Sequence, residues 1–166
     1  MPSGLIGLIP ARSGSKRVAN KNTMLIGGHP LLAYAISAAI DSGVFDRVVV
    51  STDSPEYAAI AKHYGAEVPN LRPSEFATDT SRDFEWIYQL INEFEHEGLN
   101  YEAFSILRPT SPFRNAETIK RAYEEFRSDK SLDSLRAVEL CSQHPGKMWR
   151  VFGDLLVPLL PVQPED

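Results

Sequence analysis

The stretch Leu5-Ile6-Gly7-Leu8-Ile9-Pro10, followed by the polar segment 11–22 (ARSGSKRVANKN), decides the fold. A short apolar run that ends at a proline is typical of a strand buried on both faces, as in a parallel sheet. Segment 11–22 is rich in Gly, Ser, Lys and Arg and has no apolar face to bury. Since open α/β sheets bind ligands beyond the carboxyl ends of their strands, this loop is predicted to bind a ligand.

The chain after this loop alternates helix and strand patterns. Apolar residues at helical spacing, from Pro30 at the predicted N1 position to Gly43 at the predicted end, indicate a helix. Residues 47–51 (RVVVS) form the next strand pattern, and a helix through Tyr64 follows it. This order predicts an α/β fold with a mostly parallel sheet.

Later segments continue the alternation. Residues 103–107 are predicted to form a strand, Asn115 to cap a helix, and residues 134–138 to form a further strand. Two later helices are each predicted to bury one apolar face, made of Phe84, Ile87, Tyr88 and Ile91 in the first and of Ile119, Ala122, Tyr123 and Phe126 in the second. No regular element is predicted after Cys141, where the apolar tail 149–162 is interrupted by Gly and Pro.

Composition narrows the function class. The 166 residues are enough for one domain, 43% are hydrophobic, and the net charge of −5 argues against general nucleic-acid binding. No apolar run approaches the ~20 residues of a membrane-spanning helix, and the start does not resemble a secretion signal. Cys141 is the single cysteine, which excludes a disulfide framework and fits a reducing cytoplasm.

A cluster of positive charge stands out against this acidic background. Arg12, Lys16, Arg17 and Lys21 fall within ten residues of the first loop, with no acidic residue among them. The loop is neither a Walker A loop nor a G-x-G-x-x-G turn. Two interpretations remain open, a solvated basic loop and a phosphate site of another kind, and the position after a buried strand favours the phosphate site.

Four motifs, in order along the chain, carry a specific resemblance. Segment 9–22 resembles the I-P-A-R-x-x-S-K-R-x-x-x-K-N motif of acylneuraminate cytidylyltransferases, the CMP-N-acetylneuraminic acid synthetase family, and more distantly the CMP-Kdo synthetases. The strand ending in Ser51-Thr52-Asp53, Arg72-Pro73 with the A-x-D-T-x segment at 77–81, and the loop 107–114 are similar to further motifs of that family.

The resemblance implies a three-layer α/β/α fold with a mostly parallel sheet, of the Rossmann-like nucleotidyltransferase (glycosyltransferase-A-like) kind. It also implies an enzyme that transfers CMP from CTP to the anomeric hydroxyl of a sialic-acid-like nonulosonic acid and releases pyrophosphate. It implies Mg²⁺ or another divalent cation, a homodimer in the full-length protein, and Arg12 and Lys21 in catalysis at the phosphates. The implied nucleotide-binding residues are Ala11, Arg12, Ser13, Ser15, Lys16, Lys21, Asn22, Arg72, Asp79 and Ser81. The implied sugar-binding residues are Arg108, Thr110, Ser111 and Lys147.

Several of these residues also have plainer interpretations. Ser81 or its neighbour Thr80 could cap the following helix, and Asp53 could cap the helix after the second strand. Asp79 and Asp53 are the local candidates for a metal carboxylate. Cys141 and His144 lack a supporting Asp or Asn pattern, so a thiol nucleophile is not favoured.

Two departures from the family pattern affect the function. Arg108 stands where the family usually has Gln, which leaves legionaminic, pseudaminic and Kdo acids as alternative sugars. Members of the family also continue beyond the length of this chain with a dimerisation arm and paired metal aspartates. Residues 1–166 are therefore interpreted as a single domain truncated at its C-terminus, and the alternative is a nucleotide-binding domain without catalysis.

Overall fold

The computed structural model describes residues 4–14, 18–138, 146 and 148–159. Contacts divide the chain into two units, Met1–Ser131 and Leu132–Asp166, and each is described by itself. The first unit contains β1 (Leu5–Pro10), β2 (Leu25–Ile26), β3 (His29–Pro30), α1 (Leu31–Ser42), β4 (Arg47–Ser51), α2 (Pro55–His63), α3 (Asp83–His96), β5 (Ala103–Ile106) and α4 (Ala116–Ser128). The second contains β6 (Trp149–Phe152) and β7 (Leu155–Pro158).

A three-stranded parallel sheet in the order β4-β1-β5 forms the middle of the first unit. In register, Leu8 of β1 lies between Val49 of β4 and Ile106 of β5. Successive side chains of a strand point to opposite faces, so the sheet has one core on each side. One core joins the sheet to α1, α2 and α4 through Ile9, Val48, Val50, Leu32, Ile36, Tyr57, Ala61 and Ile119. The other joins it to α3 through Ile6, Leu8, Val49, Trp86, Ile87, Leu90 and Phe94. The predicted three-layer α/β/α architecture is confirmed.

The ends of α1 and α2 follow from local chemistry. Gly43 closes α1 at φ 65°, a left-handed conformation that glycine adopts without steric cost, as predicted. Pro30 is the residue before the first helical position and not N1, since α1 begins at Leu31. Ser54 caps α2, its Oγ accepting a hydrogen bond from the Tyr57 N–H at 3.3 Å. The capping role considered for Asp53 is therefore wrong, because the residue next to the helix supplies the cap.

The buried face predicted for α3 is wrong in part. The helix buries Trp86, Ile87, Leu90 and Phe94, and leaves Phe84 and Tyr88 71% and 57% exposed. Phe84 and Tyr88 stack on each other on the outside, with ring centroids 5.5 Å apart. The sequence has apolar residues on two adjacent stripes of this helix, and only packing against the sheet selects between them.

The last helix of the first unit, α4, follows the sequence predictions more closely than α3 does. Asn115 caps α4 as predicted, because its Oδ1 accepts from the N–H and the hydroxyl of Thr118 at 2.9 and 2.8 Å. Ile119 is buried, and the other three residues of its predicted face are half-buried. Because β5 ends at Ile106 and α4 begins at Ala116, the loop between them lies at the carboxyl end of the sheet.

Two predictions about the second unit are wrong. Residues 134–138 form no strand, and Leu135 and Val138 are exposed; an apolar pattern holds a strand only where a neighbour takes its backbone hydrogen bonds. The tail expected to be irregular contains the antiparallel hairpin β6–β7, in which Trp149 pairs with Pro158 and Gly153 has a φ of 60°. None of the helices described is long and apolar enough to cross a membrane.

Candidate active site

A cavity of about 250 Å³ opens where β1 and β5 end, on the carboxyl side of the sheet. This is the edge at which open α/β sheets place their ligands. Four of the side chains lining the cavity are cationic and two are acidic. Its described lining comprises Pro10, Arg12, Lys21, Asn22, Arg72, Phe76, Thr78, Asp79, Ser81, Asp83, Trp86, Arg108, Pro109 and Thr110.

The first loop leaves β1 in a conformation fixed by buried polar contacts. The Ala11 N–H donates to the carbonyl of Ser51 at 2.9 Å, and the amide of Asn22 donates to the carbonyl of Arg12 at 3.2 Å. Ser13 binds Asp53 twice, through its N–H at 2.8 Å and its hydroxyl at 2.6 Å. Asp53 therefore ties the loop to the end of β4, and both of its carboxylate oxygens accept hydrogen bonds from Ser13.

Arg12 reaches across the cavity to the segment before α3. Its Nη1 lies 2.7 Å from Oδ1 of Asp79, and about a third of each side chain is exposed, 34% and 31%. Partly exposed pairs of this kind are worth roughly 0–1 kcal/mol. An anionic ligand with several oxygens can therefore compete for Arg12.

Arg72 is the most buried charge of the cavity, at 6% exposure. Its Nε and Nη2 donate to the hydroxyl and the carbonyl of Ser51 at 2.9 and 2.8 Å. Its guanidinium carbon lies 4.8 Å from the ring centroid of Trp86, a cation–π contact. Burial lowers the pKa of Arg72 to about 10, while nearby Asp53 and Asp83 act in the opposite direction. Arg72 is still charged at neutral pH and is fixed in one orientation.

Ser81 closes a tight turn in the wall of the cavity. Its hydroxyl accepts from the N–H of Thr78 at 3.0 Å and donates to the carbonyl of Glu75 at 3.0 Å. The residue before the first position of α3 is Arg82, whose N–H donates to the carboxylate of Glu85 at 2.8 Å. Ser81 and Thr80 are therefore not the N-cap, and the capping interpretation is wrong.

The opposite rim of the cavity is built by the loop after β5. Arg108 forms an ion pair with Asp83, the first residue of α3. Arg114 donates from Nη2 to the carbonyl of Arg108 at 2.8 Å, and burial lowers the pKa of Arg114. These contacts hold the Arg108 backbone and side chain at the rim.

Most of the residues predicted from the sequence meet at this cavity. Those that line it are Arg12, Lys21, Asn22, Arg72, Asp79, Ser81, Arg108 and Thr110. Ala11 is fully buried behind the loop, and Ser13 and Asp53 bind each other. Ser111 lies in the turn after Arg108, to whose carbonyl its N–H donates at 3.2 Å. Ser15, Lys16, Lys147, Cys141 and His144 lie outside the described residues.

Asp79 and Asp53 are the carboxylates that the sequence offers as metal ligands. No group of three or more His, Cys, Asp or Glu side chains that could hold an ion occurs among the residues described. Asp53 does not line the cavity, whereas Asp79 does. Mg²⁺ is commonly held by one or two carboxylates together with phosphate oxygens of a substrate. Asp79 fits that arrangement as a single ligand, and Asp53 does not.

Sequence reasoning missed several residues of the cavity wall. Trp86 and Asp83 are the most informative, since one supports Arg72 and the other binds Arg108. An acidic residue at the first position of a helix and a tryptophan three residues later were visible in the sequence. Their pairing with residues 72 and 108 was not, because it depends on how α3 packs. Pro10, Phe76, Thr78 and Pro109 were also missed.

Comparison with known proteins identifies relatives of the whole region that builds the cavity. Residues 6–143 match the model of a protein family described as cytidylyltransferase. The chain is 42% identical over 137 residues to the CMP-N,N'-diacetyllegionaminic acid synthase of Legionella pneumophila, covering 82% of this chain and 59% of the relative. It is 44% identical over 154 residues to the N-acylneuraminate cytidylyltransferase of Escherichia coli O18:K1:H7, covering 93% and 35%.

A solved structure supports the fold. The structure of a CMP:2-keto-3-deoxy-manno-octonic acid synthetase complexed with CTP superimposes with a TM-score of 0.64 at 20% identity, covering 78% of this chain and 49% of the other. The chain thus spans between about a third and three fifths of the length of these relatives. The residues that match the family model, 6–143, include all those described as lining the cavity.

Proposed function

This chain belongs to the cytidylyltransferase family, and on that premise we propose that the protein transfers CMP from CTP to a sialic-acid-like nonulosonic acid. The anomeric hydroxyl of the sugar gives up its proton to solvent, and its oxygen forms a bond to the α-phosphorus of CTP. The bond from that phosphorus to the leaving pyrophosphate breaks. Catalysis of such a transfer consists mainly of positioning and charge stabilisation.

One observation carries the proposal: cationic side chains converge on one cavity at the carboxyl end of the sheet. Arg12, Lys21, Arg72 and Arg108 outnumber the two acidic residues there, although the chain as a whole has a net charge of −5. A local excess of positive charge in an acidic protein favours a polyanionic ligand. CTP and a sugar acid together are such a ligand.

We assign roles by position along the sheet. Arg12 and Lys21, on the loop after β1, bind the triphosphate and offset the charge that develops on the leaving pyrophosphate. We assign Arg72, which binds the end of β4, and Ser81, in the cavity wall, to the cytosine. The bonds to Ser51 use Nε and Nη2 of Arg72, and we assign Nη1 to the base. Asn22 supports the loop. The sugar-binding role falls to Arg108 and Thr110 at the rim, with Ser111 and Lys147 as further candidates.

We also propose a divalent cation, a homodimer and a cytoplasmic location for this protein. A divalent cation, Mg²⁺, would join Asp79 to phosphate oxygens and neutralise part of their charge. A homodimer is proposed on the family resemblance alone. A cytoplasmic location is proposed because the single Cys141 gives no disulfide framework.

The identity of the sugar acid is the open choice within this function. The relatives are named for legionaminic and N-acylneuraminic acids, and the solved structure for an eight-carbon acid. Arg108 in place of the usual Gln gives this site an additional cation for an acid group. Legionaminic, pseudaminic and Kdo acids are therefore the alternatives to a sialic acid.

A second candidate function is nucleotide binding without catalysis. The observation that favours it is the small number of carboxylates in the described cavity lining, Asp79 and Asp83, of which Asp83 already pairs with Arg108. This candidate requires the same CTP site and differs in turnover only.

Titration calorimetry with CTP, UTP and ATP, each with and without Mg²⁺, tests the nucleotide site. We expect CTP to bind in the micromolar range and at least tenfold tighter than the other two, about 1.4 kcal/mol. Pyrophosphate release with N-acetylneuraminic, N,N'-diacetyllegionaminic, pseudaminic and Kdo acids then separates the two candidates. Selective CTP binding without turnover of any acid by the protein at its natural length would favour the binding-only function. Equal binding of all three nucleotides would overturn both.

A further inference from the structure

At the rim of the cavity, Arg108 is connected to the core through two other side chains. Its Nη2 pairs with Oδ2 of Asp83, and Oδ1 of Asp83 accepts a hydrogen bond from the indole N–H of Trp86 at 3.2 Å. The three residues form a chain of contacts from a side chain 2% exposed to an arginine 52% exposed. Asp83 is thus the link between the core and the rim.

Asp83 is held more firmly than the arginine it binds. It is the first residue of α3, where a carboxylate is favoured by the helix dipole. Trp86 is three residues further along, on the same side of the helix, and its ring also lies against Arg72. Because one oxygen of Asp83 is bonded to the buried Trp86, the carboxylate is fixed and can orient the more exposed side chain of Arg108.

The side chain of Arg108 is long and exposed, so it requires a partner that fixes its orientation. An unrestrained arginine loses rotamer freedom when it binds a ligand, and that loss weakens binding. The ion pair with Asp83 uses one nitrogen of the planar guanidinium, which has five N–H donors in all. The remaining donors can receive a carboxylate in a bidentate fashion.

Arg108 follows a different strand from the predicted nucleotide contacts. Arg72 binds the end of β4, the basic loop follows the central strand β1, and Arg108 follows β5 on the other side of β1. A ligand that puts its base near Arg72 and its phosphates at the loop would carry its acidic group towards Arg108.

We propose that Asp83 is a positioning residue that holds Arg108 at the rim of the cavity to receive the carboxylate of the acidic sugar. This inference rests on the proposed function and names a determinant of its acid specificity. Asp83 acts through Arg108 and does not itself touch the substrate.

The test compares Asp83→Asn with Glu85→Gln in the protein at its natural length. Both variants remove one negative charge from the first turn of α3, but Glu85 binds the N–H of Arg82 and does not line the cavity. The readout is pyrophosphate release with whichever of the four acids, N-acetylneuraminic, N,N'-diacetyllegionaminic, pseudaminic or Kdo, has the highest kcat/KM. We expect Asp83→Asn to raise the KM for the acid about three- to fivefold, the upper part of the range of a partly exposed ion pair. The KM for CTP should stay within twofold in both variants, and Glu85→Gln should leave the KM for the acid unchanged.

A double variant separates positioning from a structural role. Arg108→Gln alone should raise the KM for the acid at least as much as Asp83→Asn does. Adding Asp83→Asn to Arg108→Gln should have no further effect, because interacting residues are not additive. Full additivity, an equal rise in the KM for CTP, or the same effect in Glu85→Gln would overturn the inference. A lower KM for the acid in Asp83→Asn would show that Asp83 competes with the substrate, which also overturns it.

Failure of this inference can be told apart from failure of the proposed function. If the unaltered protein turns over an acid and Asp83→Asn has the same KM, only the positioning role falls. If the unaltered protein binds CTP selectively and turns over none of the four acids, the sugar half of the proposed function falls and the positioning role with it.

Discussion

Replacing Arg12 tests the phosphate loop directly. Arg12 lies at the carboxyl end of β1, lines the cavity and pairs with Asp79 at 2.7 Å. In Arg12→Ala the cavity loses one of its cations and retains a carboxylate that no longer has its arginine partner. Both changes oppose the binding of a triphosphate.

The size of the effect follows from the exposure of the side chain. A hydrogen bond to a charged group contributes about 1.5–3 kcal/mol. Because Arg12 is 34% exposed, solvent screens it, and the middle of that range applies. We expect Arg12→Ala to weaken CTP binding by ~2 kcal/mol, which corresponds to a roughly thirtyfold higher Kd.

The assay is titration calorimetry with CTP at two salt concentrations, with Arg121→Ala as the matched control. Arg121 is exposed on α4 and does not line the cavity, so its loss removes the same charge without touching the site. The difference between the two variants should shrink at higher salt, since exposed charges are screened. A Kd for CTP in Arg12→Ala within twofold of the Arg121→Ala value would refute the phosphate-loop assignment.

Three further variants test the metal, the core and an ion pair. Asp79→Asn should bind CTP more tightly without Mg²⁺, because one negative charge is removed, and more weakly with Mg²⁺; calorimetry that shows an unchanged Mg²⁺ dependence would exclude Asp79 as a ligand. Trp86→Ala should lower the free energy of unfolding by about 3–5 kcal/mol, measured by urea denaturation, since the side chain is 2% exposed. Arg47 donates to both carboxylate oxygens of Glu67, from Nε to Oε1 at 3.0 Å and from Nη2 to Oε2 at 2.5 Å, and these hydrogen bonds lower the pKa of Glu67 from its ordinary 4.5. Its stabilisation is therefore present above pH 4.5 and is lost as pH falls through the lower folded-state pKa; the Tm difference between Glu67→Gln and the unaltered protein should shrink over that range, and a constant difference would contradict this.

The sequence by itself determined the parts of this protein that depend on neighbouring residues. The apolar run 5–10, the glycine at 43 and the cap at Asn115 each act within a few positions, so their patterns predicted β1, the end of α1 and the start of α4. The basic loop after β1 was likewise predictable, because a polar segment without an apolar face has no place in the core.

Only the tertiary structure decided which distant side chains meet. The two apolar stripes of α3 were equivalent in the sequence, and packing against the sheet chose the stripe that contains Trp86. That choice put Trp86 against Arg72 and placed Asp83, 25 residues before Arg108, in contact with it. The physical reason is that the strand order β4-β1-β5 brings separate carboxyl ends together, and contacts across such ends leave no local pattern in the chain.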